Sequence, residues 1–220
     1  MLNVQYTIFK EYNWFMNYAA LAFTDAIKEL QEDNGSRQAY ARVEKNNVTD
    51  GLTDNEIGFI EDRDSFYMAS YGENGYPYIQ HRGGPKGFVK VIDNHTIGFV
   101  DFTGNKQYIS VGNIATQSHV GIIMLSYPHQ ARLKLYADAR IVQREEDKAL
   151  FKLLDPADYK HRPERMILFD IKAYDWNCPQ HITPRYTVPE IEAAFAPQRD
   201  YIKQLEEEVK LLKEQLNEKP

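Results

Sequence analysis

Cysteine is almost absent: the 220-residue chain holds one, Cys178, so neither an intrachain disulfide nor a cysteine-rich zinc site can be built. A reducing cytoplasm is the expected compartment. Long apolar runs are missing as well. Nothing approaches the roughly 18 to 20 residues that a bilayer span requires. The first residues, MLNVQYTIFKEYNWF, lack a basic start and carry Lys10 and Glu11 where a signal peptide is most apolar. No membrane association is expected. Positive charge is in deficit, 26 Lys and Arg against 32 Asp and Glu for a net charge of −6. That removes the uncompensated basic surface that nucleic acid or an anionic membrane needs. His81, His95, His119, His129, His161 and His181 never fall at HxH or HxxxH spacing, so no metal site is expected. GxSxG, GxxxxGK[ST] and a GxGxxG between strand and helix are also absent, which takes away the usual support for hydrolase, ATPase and dinucleotide-binding readings.

What is present is apolar mass, largely aromatic: 43% hydrophobic residues, with 15 Tyr and 11 Phe, enough for one core plus appendages. Residues 1–16 read as an extension, 17–186 as the folded domain and 187–220 as a helical tail. Helix-like spacing after Tyr18, stopped by Asn34 and Gly35, predicts a helix over 17–33. Residues 37–55 are polar and carry Asn46, Asn47, Asp50 and Gly51, which predicts a surface loop. Thr53 and Glu56 have capping-box spacing for a short helix ending near Arg63. From Ser65 onward SFYMAS, YPYIQH, FVKVI, TIGFVDF, HVGIIMLSY and RLKLYADARIV alternate with turn signals, and a helical YISVGNIAT follows the fourth run. A short helix over 147–154 and a seventh strand over 165–174 come next. Six to seven antiparallel strands with no room for crossover helices predict a mainly β fold, a closed β-barrel with peripheral helices. In the tail, Ile202, Leu205, Val209, Leu212 and Leu216 recur at the a/d spacing of a coiled coil, so this helix should pack on a second copy or on the barrel.

Chemistry concentrates in three stretches. In FVDFTGNKQYISVGNIAT, Asn105, Lys106, Gln107 and Ser110 fall in the first turns of a short helix, where free amides and a lysine make a phosphate seat. A solvated turn capped by Asn105 is the alternative. In YPYIQHRGGPKGF, an aromatic strand ends in Gln80, His81 and Arg82 ahead of Gly83, Gly84 and Gly87, whose bare backbone would let a flat ligand approach. A plain glycine-rich hairpin loop fits as well. In WNCPQHITPR, Trp176, Gln180, His181 and Arg185 gather ring, donor and cation groups within ten residues, suited to an aromatic anion.

Taken together, HRGGPKGF, GNKQYIS and WNCPQHIT resemble the pyridoxamine 5′-phosphate oxidase-related, FMN-binding split-barrel proteins over about residues 18–190. The resemblance implies an FMN-binding split β-barrel that dimerises, with flavin sites at the subunit interface. By position it assigns the FMN phosphate to Lys106, Gln107 and Ser110 with Asn105, and the ring and ribityl chain to the strand Tyr78, Ile79, Gln80, His81, Arg82. Trp176, His181 and Arg185 would complete the site from the partner, and Arg132 would reach the same cleft. Family oxidases usually carry an Arg-Lys pair where this chain has Asn105-Lys106, and end in an arginine-bearing motif not found here, which weighs against pyridoxal phosphate synthesis.

The expected function is therefore that of a flavin-dependent oxidoreductase acting on a small substrate. His81 and His181 are the weak candidates for proton exchange. A non-catalytic flavin-binding or sensor module and an interaction protein dimerising through its C-terminal helix are the alternatives.

Overall fold

The computed structural model describes residues 15–217. The expected extension 1–16 lies outside the described residues up to Trp14. Met16, at its end, is 3% exposed and pairs with Thr49 through two backbone hydrogen bonds of 2.7 and 2.9 Å. The chain divides into two compact units. One comprises residues up to Ser126 together with Ala131–Pro179; the other joins Tyr127–Gln130 to Gln180 and everything after it.

The first unit is built on one seven-stranded antiparallel sheet: β1 (Ser65–Tyr71), β2 (Pro77–Gly83), β3 (Lys90–Val91), β4 (Thr96–Phe102), β5 (His119–Ser126), β6 (Ala131–Gln143) and β7 (Pro163–Asn177). Their order is β2-β1-β5-β6-β7-β4-β3. The hydrogen-bond ladder among the described residues ends at β2 and β3, so the mainly β fold is the split barrel that the resemblance implies, in place of the closed barrel that strand spacing alone suggests. The reason is local: β3 is only two residues long and pairs with β4 alone.

Strict alternation drives the strands. In β1 Phe66, Met68 and Ser70 point inward while Tyr67 and Tyr71 are exposed; in β5 Val120, Ile122, Met124 and Ser126 are buried. β4 and β7 are buried along both faces through Ile97–Asp101 and Met166–Phe169, as continuous apolar runs should be. Their centre is aromatic. Phe66 meets Phe99 edge-on at 5.4 Å and Phe88 in a stack at 5.9 Å, and Phe99 stacks on Phe169 at 5.9 Å. Each such ring contributes about 2 to 3 kcal/mol by leaving water.

Among the described residues seven helices accompany the strands. The helix expected over 17–33 is two, α1 (Tyr18–Ala22) and α2 (Asp25–Asp33), because Thr24 adopts extended backbone and starts the second. The loop expected over 37–55 holds α3 (Arg37–Asn46). None of its residues is buried, so it leaves no apolar stripe to read; ion pairs of Glu44 with Arg37 and with Lys28 hold it instead. α4 (Asp54–Glu61) begins with the predicted capping box, the Thr53 amide donating to Glu56 Oε2 at 3.0 Å. α5 (Ile109–Thr116) is inserted between β4 and β5, and α6 (Lys148–Leu154) covers a second small core of Val100, Leu154, Met166 and Leu168.

In the second unit, Gln130 Nε2 donates to the Ile182 carbonyl at 2.7 Å and the Arg185 guanidinium lies 4.8 Å from the Tyr127 ring centre. Thr187 and Glu190 form a reciprocal cap that starts α7 (Val188–Asn217), a thirty-residue helix with no buried residue. The compact-unit division falls at Gln180, ahead of the expected tail boundary at 187.

Candidate functional site

A shallow cleft opens where β2, the end of β4, the start of α5 and the start of β7 meet. Period-two alternation decides what β2 contributes. Tyr78, Gln80 and Arg82 line the cleft, while Ile79 and His81 lie on the opposite face. Asn105, Lys106, Gln107 and Ser110 line it as well.

The loop between β4 and α5 differs from expectation. The helix begins at Ile109, so only Ser110 sits in its first turn and residues 105–107 precede it. Lys106 at φ 62° and Tyr108 at φ 55° occupy the left-handed region, which no α-helix can incorporate. Asn105 does not cap the helix; its Oδ1 accepts from the Gln107 amide at 3.2 Å. Tyr108 is the N-cap and makes no side-chain capping bond, so the amides of the first turn point outward from α5 without a side-chain acceptor at the cap.

Arg82, Asp101 and Glu164 of the cleft lining belong to a charged cluster completed by Arg165, which no sequence motif signals. Arg82 Nη1 donates to Asp101 Oδ1 at 2.7 Å, and Arg165 Nε lies 3.5 Å from Asp101 Oδ2. Arg165 also pairs with Glu164 and packs its guanidinium 4.9 Å from the Tyr108 ring centre. Burial pushes the Asp101 carboxyl up, against the opposing pull of Arg82 and Arg165. At Glu164 burial also pushes upward, but hydrogen bonds led by the Arg165 guanidinium outweigh it and the net direction is down. Arg82 Nε and Arg165 Nε are buried with no hydrogen-bond acceptor among the described residues. Buried donors of this kind are rare and costly, and a bound acceptor would relieve them. Beside them Ser110 Oγ donates to Gln80 Oε1 at 2.5 Å, joining the helix to the strand.

The other expected residues are elsewhere. Trp176 commits its indole N–H to Glu56 Oε1 at 2.6 Å and packs edge-on against Phe59 at 4.8 Å. Together with Cys178, Met16, Phe23 and Tyr40 it borders a separate groove. Arg132 Nη2 donates to the Cys178 carbonyl at 2.7 Å. His181 and Arg185 belong to the second unit, where His181 has φ 65°. The glycine loop serves its own chain: Gly84 leaves room for the Phe88 ring, which an added Cβ would meet at 2.6 Å. Gly87, at φ 72°, faces the Glu61 carbonyl. Both glycine amides are tied back, to Asp64 O and Arg63 O, each at 2.9 Å. Asp101, Glu164 and Arg165 carry no spacing signal; only the pairing of β4 with β7, which sets Asp101 opposite Arg165, brings them together.

Residues 52–175, more than half of the chain, match the family described as pyridoxamine 5′-phosphate oxidase. No curated protein sequence matches the chain. Among solved structures, an FMN-binding protein from Syntrophomonas wolfei is 15% identical, with 67% of this chain and 97% of that one covered at a TM-score of 0.46. HupZ from Group A Streptococcus is 12% identical, with 61% and 100% covered at 0.46. A pyridoxinephosphate oxidase family protein from Clostridium acetobutylicum, related to general stress protein 26 of Bacillus subtilis, is 15% identical, with 62% and 94% covered at 0.42.

Proposed function

Because the chain belongs to the pyridoxamine 5′-phosphate oxidase family, we propose that it is an FMN-binding, flavin-dependent oxidoreductase that acts on a small substrate as a cytoplasmic homodimer. The observation that carries the reading is the cleft wall, where Arg82 keeps a buried Nε–H group without an acceptor among the described residues. Arg82 and Lys106 line the cleft with Asp101 and Glu164, and Arg165, beneath the lining, pairs with both carboxylates, so the cluster as a whole leaves one positive charge over for a phosphate. The Debye length of about 8 Å screens the remaining acidic surface. Lys106, Ser110 and the first amides of α5 bind the phosphate, and Arg82 orients it from the strand. Gln80, tied to Ser110, and Tyr78 extend the same face along β2. When bound, FMN supplies a ring that accepts and returns two electrons. The chain's own part is to hold that ring, shield it from water and exchange a proton, for which His81 and His181 are the candidates.

The other face of the sheet supports the homodimer. Paired rows run His81–Tyr67–Ile123–Lys134 and Ile79–Ala69–Gly121–Tyr136 across β2, β1, β5 and β6. Ile79 is 66% exposed, and Tyr67 and Tyr136 are exposed as well. An apolar sheet face of this kind marks an interface. A second copy there brings Ile79 and His81 to its own flavin site, and His181 and Arg185 supply the partner's ring contacts.

An absorbance spectrum of the purified protein, before and after adding FMN, tests the reading. One flavin per chain, reduced by NAD(P)H and reoxidised by air, is expected. A colourless protein after FMN addition and gel filtration overturns it, and a bound flavin inert to every reductant leaves a binding module without turnover.

A further inference from the structure

α7 is absorbed by neither the cleft nor the sheet face. Its apolar side chains Ile202, Leu205, Val209, Leu212 and Leu216 are between 40% and 69% exposed, all on one stripe. Most helical stability in proteins comes from packing an amphipathic face, so a stripe like this needs a cover. The pattern also states which cover. With Ile202, Val209 and Leu216 at a and Leu205 and Leu212 at d, β-branched residues fill two of three a positions and leucine both d positions, the combination that favours two parallel strands. Charge agrees. Glu208 takes a g position and Lys213 the following e position, so parallel, in-register helices set Glu208 against the partner's Lys213 on both sides of the seam. An antiparallel pairing with Val209 opposite the partner's Leu205 sets Glu206 against the partner's Glu206 and Glu208 against the partner's Glu208, and the other antiparallel register, which pairs Glu206 with Lys213, places Val209 against Leu212 and so loses the matched a-a and d-d layers that this composition favours.

Pro197 sets the upper end of the seam. It lacks an N–H and its ring crowds the carbonyl four residues earlier, and Arg199 Nη2 donates to the Glu192 carbonyl at 3.0 Å within this disturbed turn. We propose that residues 202–216 of α7 form a parallel, in-register, two-stranded coiled coil with the same segment of a second copy. The proposal does not depend on the flavin reading, and the occupant is the chain itself.

Cysteine cross-linking in the full chain tests it. The exposed Cys178 is first replaced, Cys178→Ser, and a single cysteine is then placed by Val209→Cys or, on the outer c position, by Leu211→Cys. In a parallel in-register pair an a residue meets its own copy within bridging reach, whereas c residues do not. Under mild oxidation at micromolar protein, Val209→Cys should form a covalent dimer roughly tenfold faster than Leu211→Cys. Adding Glu208→Lys should slow that bridge, and Glu208→Lys with Lys213→Glu should restore it. Equal rates at 209 and 211, or a bridge at 209 that Glu208→Lys accelerates, overturns the proposal.

Discussion

Glu56 and Asp101 are both 4% exposed in the same sheet unit, yet their carboxyls move in opposite directions. At Glu56 burial pushes upward, but the Thr53 amide and hydroxyl, Asn55 and Trp176 Nε1 all donate to it, and the net direction is down. At Asp101 burial wins over two arginines, and those arginines keep buried donors without acceptors. A fully satisfied buried network stabilises the fold; a network with donors left over is prepared for something to arrive. Trp176 belongs to the first kind, and Arg82 to the second.

Substitutions at the two places can break this division or sharpen it. The largest effect is expected from Glu56→Ala, which strands the Trp176 indole and the Thr53 amide and should cost about 3 kcal/mol of stability. The urea midpoint reads that loss, while the FMN affinity of the folded fraction stays unchanged; an affinity loss as large as at Lys106 would abolish the distinction. Lys106→Ala should do the reverse, weakening FMN binding by about 1.5 to 3 kcal/mol, the scale of a charge-assisted hydrogen bond, with the urea midpoint unmoved. Titration by flavin fluorescence measures it. Ser110→Ala should cost FMN about 1 kcal/mol in the same titration, since a neutral hydroxyl contributes less than a charge. The smallest amplitude is in pH dependence. Glu56, lowered, adds stability above its unfolded value of 4.5 that is lost as pH falls through the lower folded value. Asp101, raised from 3.8, adds stability at lower pH that is lost as pH rises through its higher folded value. Urea midpoints across the acid range should therefore show Glu56→Gln approaching the parent chain as pH falls, and Asp101→Asn gaining on it as pH rises.

The strands were legible because alternation survives in the sequence: SFYMAS and HVGIIMLSY sort into inward and outward residues without help from the fold. The Thr53–Glu56 cap was legible for the same local reason. α3 was not, because Arg37, Lys28 and Glu44 hold it and charges have no period. The short helix after β4 was legible, but Lys106 and Tyr108 in the left-handed region push its start back to Ile109, and no propensity rule anticipates two such non-glycine residues. The charged cluster was invisible, since Asp101 and Arg165 meet only through a strand register 64 positions apart in the chain. Likewise Gly84 looked like room for a ligand and proved to be room for Phe88.

β7 carries a further consequence. It runs from Pro163 to Asn177, is paired with β4 on one side and β6 on the other, and bears Arg165 near its start and Trp176 near its end. With no free edge between Met166 and Asp170, its amides there should exchange with deuterated solvent only when the whole unit unfolds. The charged cluster around Arg165 and the Glu56 bracket around Trp176 would then hang on one slowly opening strand, so a ligand that slows its exchange steadies both.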